Sequence, residues 1–315
     1  MSDLRSRVKG GLTAGVKKGL SSFIWMCKIV IPLSFLVAVL QWTGWLSKID
    51  FLLNPLMNLL NLPAQAGLPI LTGMLVNLYA VIAIITVLPF SPEQMLLIAI
   101  FSMIAHNLIP EGVVQHKSGF HFIKSVVFRI VVATITVLIV SQFLGDTSRS
   151  IALPADIAVQ ISFWGALKSW ALNILSLLIK IFVIIMVIMI VLDILKSSGW
   201  INYILKASRP LARILGLPPK TVMMWVVATL FGLLYGGAVV AEEAKKGELT
   251  KEDLERLHIF VGIHHAAVED PSLFAVLGLN AFWLWVPRFV MAVIAVQTYR
   301  LITSFKHKQT VSASG

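Results

Sequence analysis

The sequence predicts an all-α integral membrane protein that consists of two inverted-topology repeats. Each repeat is expected to hold about three transmembrane helices, a re-entrant helical hairpin and an interfacial helix. Three observations predict this fold class: long apolar runs, an internal repeat, and an unequal distribution of basic residues between matching loops. Of the 315 residues, 58% are hydrophobic and 13% are charged, whereas a soluble domain carries about 25% charged residues.

Several runs approach or exceed the roughly 20 apolar residues that a membrane-spanning helix needs. They include FIWMCKIVIPLSFLVAVL, LPILTGMLVNLYAVIAIITVLPF, VVFRIVVATITVLIV and LLIKIFVIIMVIMIVLDIL. The first run is too long for a cleavable signal peptide and more runs follow it. Residues 1–20, which hold five Lys and Arg residues, are therefore expected to be a basic cytoplasmic segment. The net charge of +11 then needs no nucleic-acid partner to explain it.

The chain repeats itself in one register. TGWLSKIDFLLNPLMNLLNLP (43–63) aligns with SGWINYILKASRPLARILGLP (198–218), and SPEQMLLIAIFSMIAHN (91–107) aligns with TKEDLERLHIFVGIHHA (250–266). The second alignment pairs His106 with His265, and its offset of 159 also pairs Arg129 with Arg288. The predicted domains are a basic N-terminal segment (1–20), a first repeat (21–146), a linker (147–164), a second repeat (165–305) and a cytoplasmic C-terminal tail (306–315).

Each repeat is predicted to contain the same elements in the same order. A long apolar helix (22–43; 170–195) precedes a short interfacial segment with proline (48–61; 201–216). A second span (66–88; 221–241), a stretch interrupted by polar residues (93–118; 252–274) and a final apolar stretch (119–144; 275–303) follow. Ser91 and Glu93 align with Thr250 and Glu252, and both pairs suit the start of a helix, where such residues cap free backbone amides.

The interrupted stretch decides the topology. Its first arm, 93–108 or 252–267, is short for a span and suits a re-entrant hairpin. A hairpin leaves three crossings per repeat and inverts the second repeat, whereas a span gives four crossings and parallel repeats. The 196–220 loop carries five Lys and Arg residues and the matching 45–65 loop carries one. The positive-inside rule therefore favours the inverted arrangement, although it places the basic 243–256 loop outside.

Polar residues cluster in HNLIPEG (106–112) and HHAAVEDP (264–271). A charge at the bilayer midplane costs at least about 2.5 kcal/mol, and non-helical backbone persists there only where protein buries it or water lines it. We expect the two segments to be hairpin tips that meet around a solute site, with help from the second span. The predicted substrate-binding residues are His106, Asn107, Glu111, His264, His265, Glu269, Asp270, Asn77, Tyr235 and Asn280.

Other interpretations stay open at this point. Glu111 and Asp270 can close the tips by accepting hydrogen bonds from backbone amides, and His106 and His265 can be buried histidines bonded to carbonyls. Histidine also suits proton coupling. The candidate ligands of a divalent metal are His264, His265, Glu269 and Asp270. No cofactor is expected, and a proton, a sodium ion or a divalent metal are the coupling ions left open.

Arg129 and Arg288 each begin a final apolar stretch, and we interpret them as interfacial anchors. The sequence contains no P-loop, GxSxG or HExxH motif, so we predict no catalytic residues and no enzyme. The single cysteine, Cys27, excludes an intramolecular disulfide.

The repeated segments GWLSKIDFLLNPLMNLLNLP and GWINYILKASRPLARILGLP, with HNLIPEG and HHAAVEDP, resemble the nucleoside recognition, or Gate-domain, membrane proteins. That grouping includes the core of the concentrative nucleoside transporters, the membrane part of the ferrous iron transporter B family, and the spore maturation A and B proteins. The chain is most similar to stand-alone members with two fused Gate units. The resemblance implies helical hairpins and a transport role.

The predicted function is a secondary permease of a prokaryotic cytoplasmic (inner) membrane, with both termini cytoplasmic, that passes a small polar solute by alternating access. A nucleoside is the named solute, and a divalent cation or a proton-coupled solute is the next choice. An alternative of another class is a non-transporting scaffold or sensor that works with a partner membrane protein. The expected partners are the lipid bilayer, a small molecule or ion, and a second copy or another membrane protein.

Overall fold

The computed structural model describes residues 2–45, 50–148 and 162–313. Most of the predicted linker, 149–161, lies outside the described residues. Throughout the described part of the chain the secondary structure is helical, without a strand, as the sequence predicts. In the first repeat the helices are α1 (Ser2–Trp42), α2 (Asp50–Leu59), α3 (Gly67–Leu75), α4 (Leu78–Ile85), α5 (Pro92–Ala105), α6 (Leu108–Lys117) and α7 (Phe122–Ser141). In the second repeat they are α8 (Phe163–Ser197), α9 (Ile201–Ile214), α10 (Val222–Phe231), α11 (Leu233–Lys245), α12 (Lys251–Ile263), α13 (Glu269–Ala275) and α14 (Ala281–Ala313).

The two repeats match element by element. The side chain of Ser91 accepts a hydrogen bond from the amide of Gln94, and the side chain of Gln94 accepts one from the amide of Ser91. Thr250 and Asp253 form the same reciprocal cap at the start of α12. These caps satisfy backbone amides that have no partner within the helix. The capping function expected of Ser91 and Thr250 is confirmed.

The first helices of the two repeats, α1 and α8, pack antiparallel along their length. Near the start of α1, Gly11 lies against Ser197. In its middle, the rings of Phe23 and Phe182 are 4.9 Å apart. At its end, Trp42 lies 5.3 Å from Phe163. Because α1 and α8 are repeat equivalents and run in opposite directions, the second repeat is inverted relative to the first.

The basic N-terminal segment is part of α1. The helix begins at Ser2 and continues to Trp42 without interruption. Three glycines four residues apart, Gly11, Gly15 and Gly19, bring its N-terminal half against the backbone of α8. Small residues at this spacing allow helix axes to approach closely. Residues 2–20 therefore extend the first span instead of forming a separate element.

The re-entrant hairpin lies elsewhere than the sequence predicts. Helices α3 and α4 pack against each other, and a Cβ on Gly73 would lie 2.6 Å from the side chain of Val81. Such an approach across eight residues requires the chain to reverse. In the second repeat, Gly236 lies against Ala228 in the same way, across α10 and α11. The segments 66–88 and 221–241, predicted as spans, are therefore helical hairpins.

The interrupted stretches are broken helices that continue in one direction. Along α7, Arg129 bonds the carbonyl of Ile104 near the end of α5, and Ser125 bonds Gln115 in α6. Helices α5 and α6 thus follow each other antiparallel to α7. The prediction that 93–108 and 252–267 are hairpin arms is wrong. The polar residues at 106–107 end one helix and a new helix begins at once, without reversing the chain.

With the hairpins at 66–88 and 221–241, each repeat still crosses the membrane three times, so the inverted arrangement stands. The conflict between the positive-inside rule and the basic 243–256 loop is removed. The 243–256 loop now falls on the same side as the basic 196–220 loop. A contact between them confirms it, because Lys220 donates to the carbonyl of Glu248 at 3.0 Å. On the opposite side, Asn61 bonds Ser141 at 3.1 Å.

Helix length and composition agree with a membrane protein. Among the described residues, five helical segments are long and apolar enough to cross a membrane: Arg5–Trp42, Pro92–Lys117, Phe122–Ser141, Phe163–Ser197 and Ala281–Phe305. The repeat equivalent of Pro92–Lys117 is the segment 251–275, which is more polar and has a longer break. We take this segment as the sixth crossing.

Candidate functional site

A cavity of about 200 Å³ lies where the two repeats meet. The tips of both hairpins, the breaks of both broken helices and the middle of α1 surround it. Seven of the ten predicted substrate-binding residues line this cavity: Asn77, His106, Asn107, Glu111, His265, Glu269 and Asp270. The structure therefore brings together most of the residues that the sequence singles out. Six of them stand on the broken helices, and Asn77 stands at the tip of a hairpin.

The first break is built around Asn107, which has a φ of +52°. Asparagine tolerates this left-handed conformation better than most residues do. The second break spans residues 264–268 and includes Ala266 with a φ of +43°. Each break is tied to the hairpin of its own repeat, because the amide of Asn107 donates to Gly73 and the amide of Ala266 donates to Ala228.

Two buried arginines satisfy the carbonyls that the breaks leave without helical partners. Arg129 donates to the carbonyls of Ile104 at 2.7 Å and His106 at 2.8 Å. Arg288 donates to those of Ile263 and His265, both at 3.1 Å. Both arginine side chains are fully buried. The interpretation of Arg129 and Arg288 as interfacial anchors is therefore wrong.

His106 and His265 face each other across the repeat interface. Their Nε2 atoms are 3.4 Å apart. Each ring donates its Nδ1 proton to a carbonyl one turn earlier in its own helix, Ser102 at 3.0 Å and Val261 at 2.8 Å. Because these two residues are repeat equivalents in mutual contact, the pseudo-two-fold axis passes between them.

Three carboxylates lie beside the histidines. Glu111 forms an ion pair with Arg129 at 2.7 Å, and Asp270 lies 3.7 Å from Arg288. Glu269 accepts a hydrogen bond from the hydroxyl of Tyr79 at 3.0 Å, which joins the second repeat to the first hairpin. Three carboxylates thus line the cavity, and an arginine lies behind two of them.

Two predicted residues, His264 and Asn280, lie away from the cavity. The ring of His264 packs 5.8 Å from Phe260 and 5.5 Å from Phe289 instead. Asn280 is exposed and accepts a hydrogen bond from the amide of Phe282, so it caps α14. The side chain of Tyr235 lies outside the described residues. The histidine that joins His265 and Asp270 within metal-binding distance is His106, not the neighbouring His264.

Sequence reasoning missed two features of the site. The arginines were placed at the interface because a lone arginine near a helix end usually reaches water. Their shared offset from the two breaks, 23 residues after His106 and after His265, is the signal that could have found them. Trp25, which lines the cavity from α1, carries no distinguishing pattern.

A second cavity adjoins the first. It has a volume of about 230 Å³, is bordered by Lys18, Asp193 and Lys196, and shares Phe231 and Glu269 with the central cavity. Lys18 and Asp193 form an ion pair at 2.5 Å. A larger cavity of about 650 Å³ lies near the other ends of α1 and α8 and includes Gln41 and Asn173.

Fold and site together define a multi-pass α-helical membrane protein with a polar cavity between two inverted repeats. Residues 23–140 match the Gate family, whose description is nucleoside recognition, so the resemblance read from the sequence is confirmed for the first repeat. The chain is 28% identical over 285 residues, 89% of its length, to an uncharacterized membrane protein of Bacillus subtilis, YvoD, and the match covers 91% of that protein. No solved structure matches the chain significantly.

Proposed function

We propose that the protein is a secondary transporter of a prokaryotic cytoplasmic membrane that passes a small polar solute through the central cavity by alternating access. The observation that supports it most directly is the meeting of two inverted, broken helices around a polar cavity. Many secondary transporters bind their solutes at such breaks between inverted repeats. Non-helical backbone at this depth is stable only where protein buries it or a cavity receives it.

The cavities around the site support an inward-facing state. The central cavity shares residues with the cavity at Lys18 and Lys196, on the side that carries the basic loops. Among the described residues, the larger cavity at Gln41 and Asn173 has no lining residue in common with the central one. Residues Asn173 and Lys18 are repeat equivalents at the offset of 155. If each repeat adopted the conformation that the other now has, the central cavity would close toward the basic loops and open toward Gln41 and Asn173.

The proposed solute is small and polar. Nucleosides are the first probes because the matched family carries that description. Divalent cations are the second, because three carboxylates, Glu111, Glu269 and Asp270, line the cavity. We propose no enzymatic role. The alternative of a membrane scaffold or sensor predicts a stoichiometric protein partner and no flux.

Uptake into proteoliposomes tests the proposal, with radiolabelled uridine, adenosine and divalent cations as probes. Glu269→Gln should abolish uptake of the transported probe, because Glu269 lines the cavity, accepts a hydrogen bond from Tyr79 and, among the described residues, pairs with no arginine. Glu243→Gln is the matched control, since Glu243 pairs with Lys246 at the surface, and it should leave uptake unchanged.

Two outcomes would contradict the proposal. Unchanged uptake in Glu269→Gln would remove the cavity from the solute path. Failure of every probe to exceed protein-free vesicles, together with purification of an equimolar membrane-protein partner, would favour the scaffold.

A further inference from the structure

We propose that His106 and His265, with carboxylate oxygens of Glu111 and Asp270, form a binding site for one divalent transition-metal ion on the pseudo-two-fold axis. The inference goes beyond transport, because binding at this site does not depend on whether a solute crosses the membrane. Four steps support it: the state of the two rings, the spacing of the donor atoms, the type of donors, and the charge balance.

The hydrogen bonds of the two rings fix where their lone pairs point. A carbonyl oxygen can only accept a hydrogen bond, so Nδ1 of His106 and of His265 must each carry a proton. In the neutral rings both Nε2 atoms are then acceptors, and they face each other at 3.4 Å. Two buried lone pairs at this distance repel unless a cation lies between them. A backbone carbonyl that fixes the remote ring nitrogen is also the usual support of a metal-binding histidine.

The donor atoms have the spacing of ligands around one ion. Ligands about 2.0–2.1 Å from a tetrahedral zinc ion lie roughly 3.3–3.4 Å from one another. Here the two Nε2 atoms are 3.4 Å apart. Oε1 of Glu111 lies 3.4 Å from Nε2 of His106, and its other oxygen, Oε2, lies 3.5 Å from Nε2 of His265. Nitrogen and oxygen atoms joined directly by a charged hydrogen bond would be closer, at about 2.7–2.9 Å.

Asp270 supplies the fourth donor. One of its oxygens lies within 4.8 Å of a ring nitrogen of both His106 and His265. The carboxylate is buried, and its Oδ2 accepts no hydrogen bond from the residues that the structure describes. With His106 and His265 it forms a group of three potential ligands, and in the proposed site an oxygen of Glu111 is the remaining donor.

The donor set and the charges select the kind of ion. Imidazole nitrogens suit zinc, iron, cobalt and nickel, whereas magnesium and calcium prefer oxygen alone. Arg129 and Arg288 stand behind Glu111 and Asp270, where they orient the carboxylates and also repel the ion. This arrangement favours moderate affinity.

The test uses the full chain, purified in detergent without a histidine tag and stripped with chelator. Cobalt(II) is the probe, because tetrahedral cobalt absorbs strongly in the visible range. We expect one cobalt ion per chain with tetrahedral bands, displaced by zinc. His106→Gln and His265→Gln should each weaken binding at least about tenfold, the loss that even an outer partner of a metal site produces.

His116 and His121 provide the matched control. They form an exposed histidine pair with ring centres 5.8 Å apart, which is the other place where two imidazoles lie close together in the described chain. The double variant His116→Gln/His121→Gln should leave the cobalt bands and the affinity unchanged.

A measurement on the unaltered chain tests the proposal even if the variants fail to fold. X-ray absorption of the zinc-loaded protein should show two imidazole nitrogens and two oxygens in the first shell. Absence of saturable one-to-one binding would overturn the proposal and would leave a shared proton as the cation between the rings. Loss of binding only in the His116/His121 variant, or a shell without imidazole, would overturn it equally.

Discussion

At the scale of single residues, the two broken helices depend on side chains that replace missing backbone partners. A broken helix leaves carbonyls without intrahelical donors, and such groups are costly to bury in a membrane. Arg129 and Arg288 supply the donors from the next helix. The same guanidinium of Arg129 also pairs with Glu111. One residue thus stabilises the break and fixes a carboxylate of the cavity.

Arg129→Met should destabilise the protein by about 3–5 kcal/mol, because it leaves the buried carboxylate of Glu111 without its partner. Arg288→Met should cost less, since Asp270 lies 3.7 Å away against 2.7 Å for the Arg129 pair. Unfolding of the detergent-solubilised protein, titrated with a denaturing detergent, measures both values.

Arg213→Gln is the control for this pair, because Arg213 is exposed on α9 and should change stability little. An Arg129→Met variant as stable as the unaltered protein would show that the hydrogen bonds to the break are not structural.

At the scale of helices, the close packing of α1 on α8 holds the inverted repeats together. A Cβ on Gly15 would lie 2.6 Å from the Cα of Ile190, so only glycine fits there. Lys18 and Asp193 form an ion pair one turn further along the same contact. Phe23 and Phe182 continue the contact toward the centre of both helices.

Gly15→Ala should therefore lower the thermal stability, with an overpacking cost of about 1–3 kcal/mol. Gly10→Ala is the matched control. It lies on the same helix with nothing within 4 Å of a Cβ, and alanine should raise stability there through its higher helix propensity. The melting temperatures of the two variants test this prediction. Equal shifts in the same direction would contradict the packing of α1 on α8.

The sequence is sufficient to predict which segments are helical. It is not sufficient to predict that the segments 66–88 and 221–241 reverse direction and form hairpins. The segment 66–88 is mainly apolar, and its reversal at Val76 and Asn77 involves no glycine or proline. Length alone therefore indicated a span. In the second repeat, Gly232 with a φ of +82° marks the equivalent reversal, and the glycine there was a readable signal.

Most of the site could also be predicted, because ionisable residues in apolar sequence are rare and costly. His106, Glu111, His265 and Asp270 stood out for that reason. The choice between adjacent histidines could not be made, since it depends on how the chain turns at residues 264–268. The structure directs His265 to the cavity and His264 toward Phe260 and Phe289.

At the scale of the whole molecule, one face collects the basic residues. Contacts place the 117–124, 196–220 and 243–256 loops on this face, through Lys124 with Glu255 and Lys220 with Glu248. In the full sequence, the loops at the opposite helix ends, 43–65, 86–94 and 141–162, hold two basic residues, Lys48 and Arg149. Such an asymmetry predicts that the basic face is cytoplasmic.

The most direct test of the inverted arrangement is the labelling of single cysteines with a membrane-impermeant maleimide, in a Cys27→Ser background. Asn58→Cys and Gln142→Cys should be labelled in intact cells. Ala207→Cys and Lys246→Cys should be labelled only after the cells are permeabilised. Labelling of Lys246→Cys in intact cells together with Asn58→Cys would show that α10 and α11 cross the membrane, and would contradict two inverted repeats with a hairpin in each.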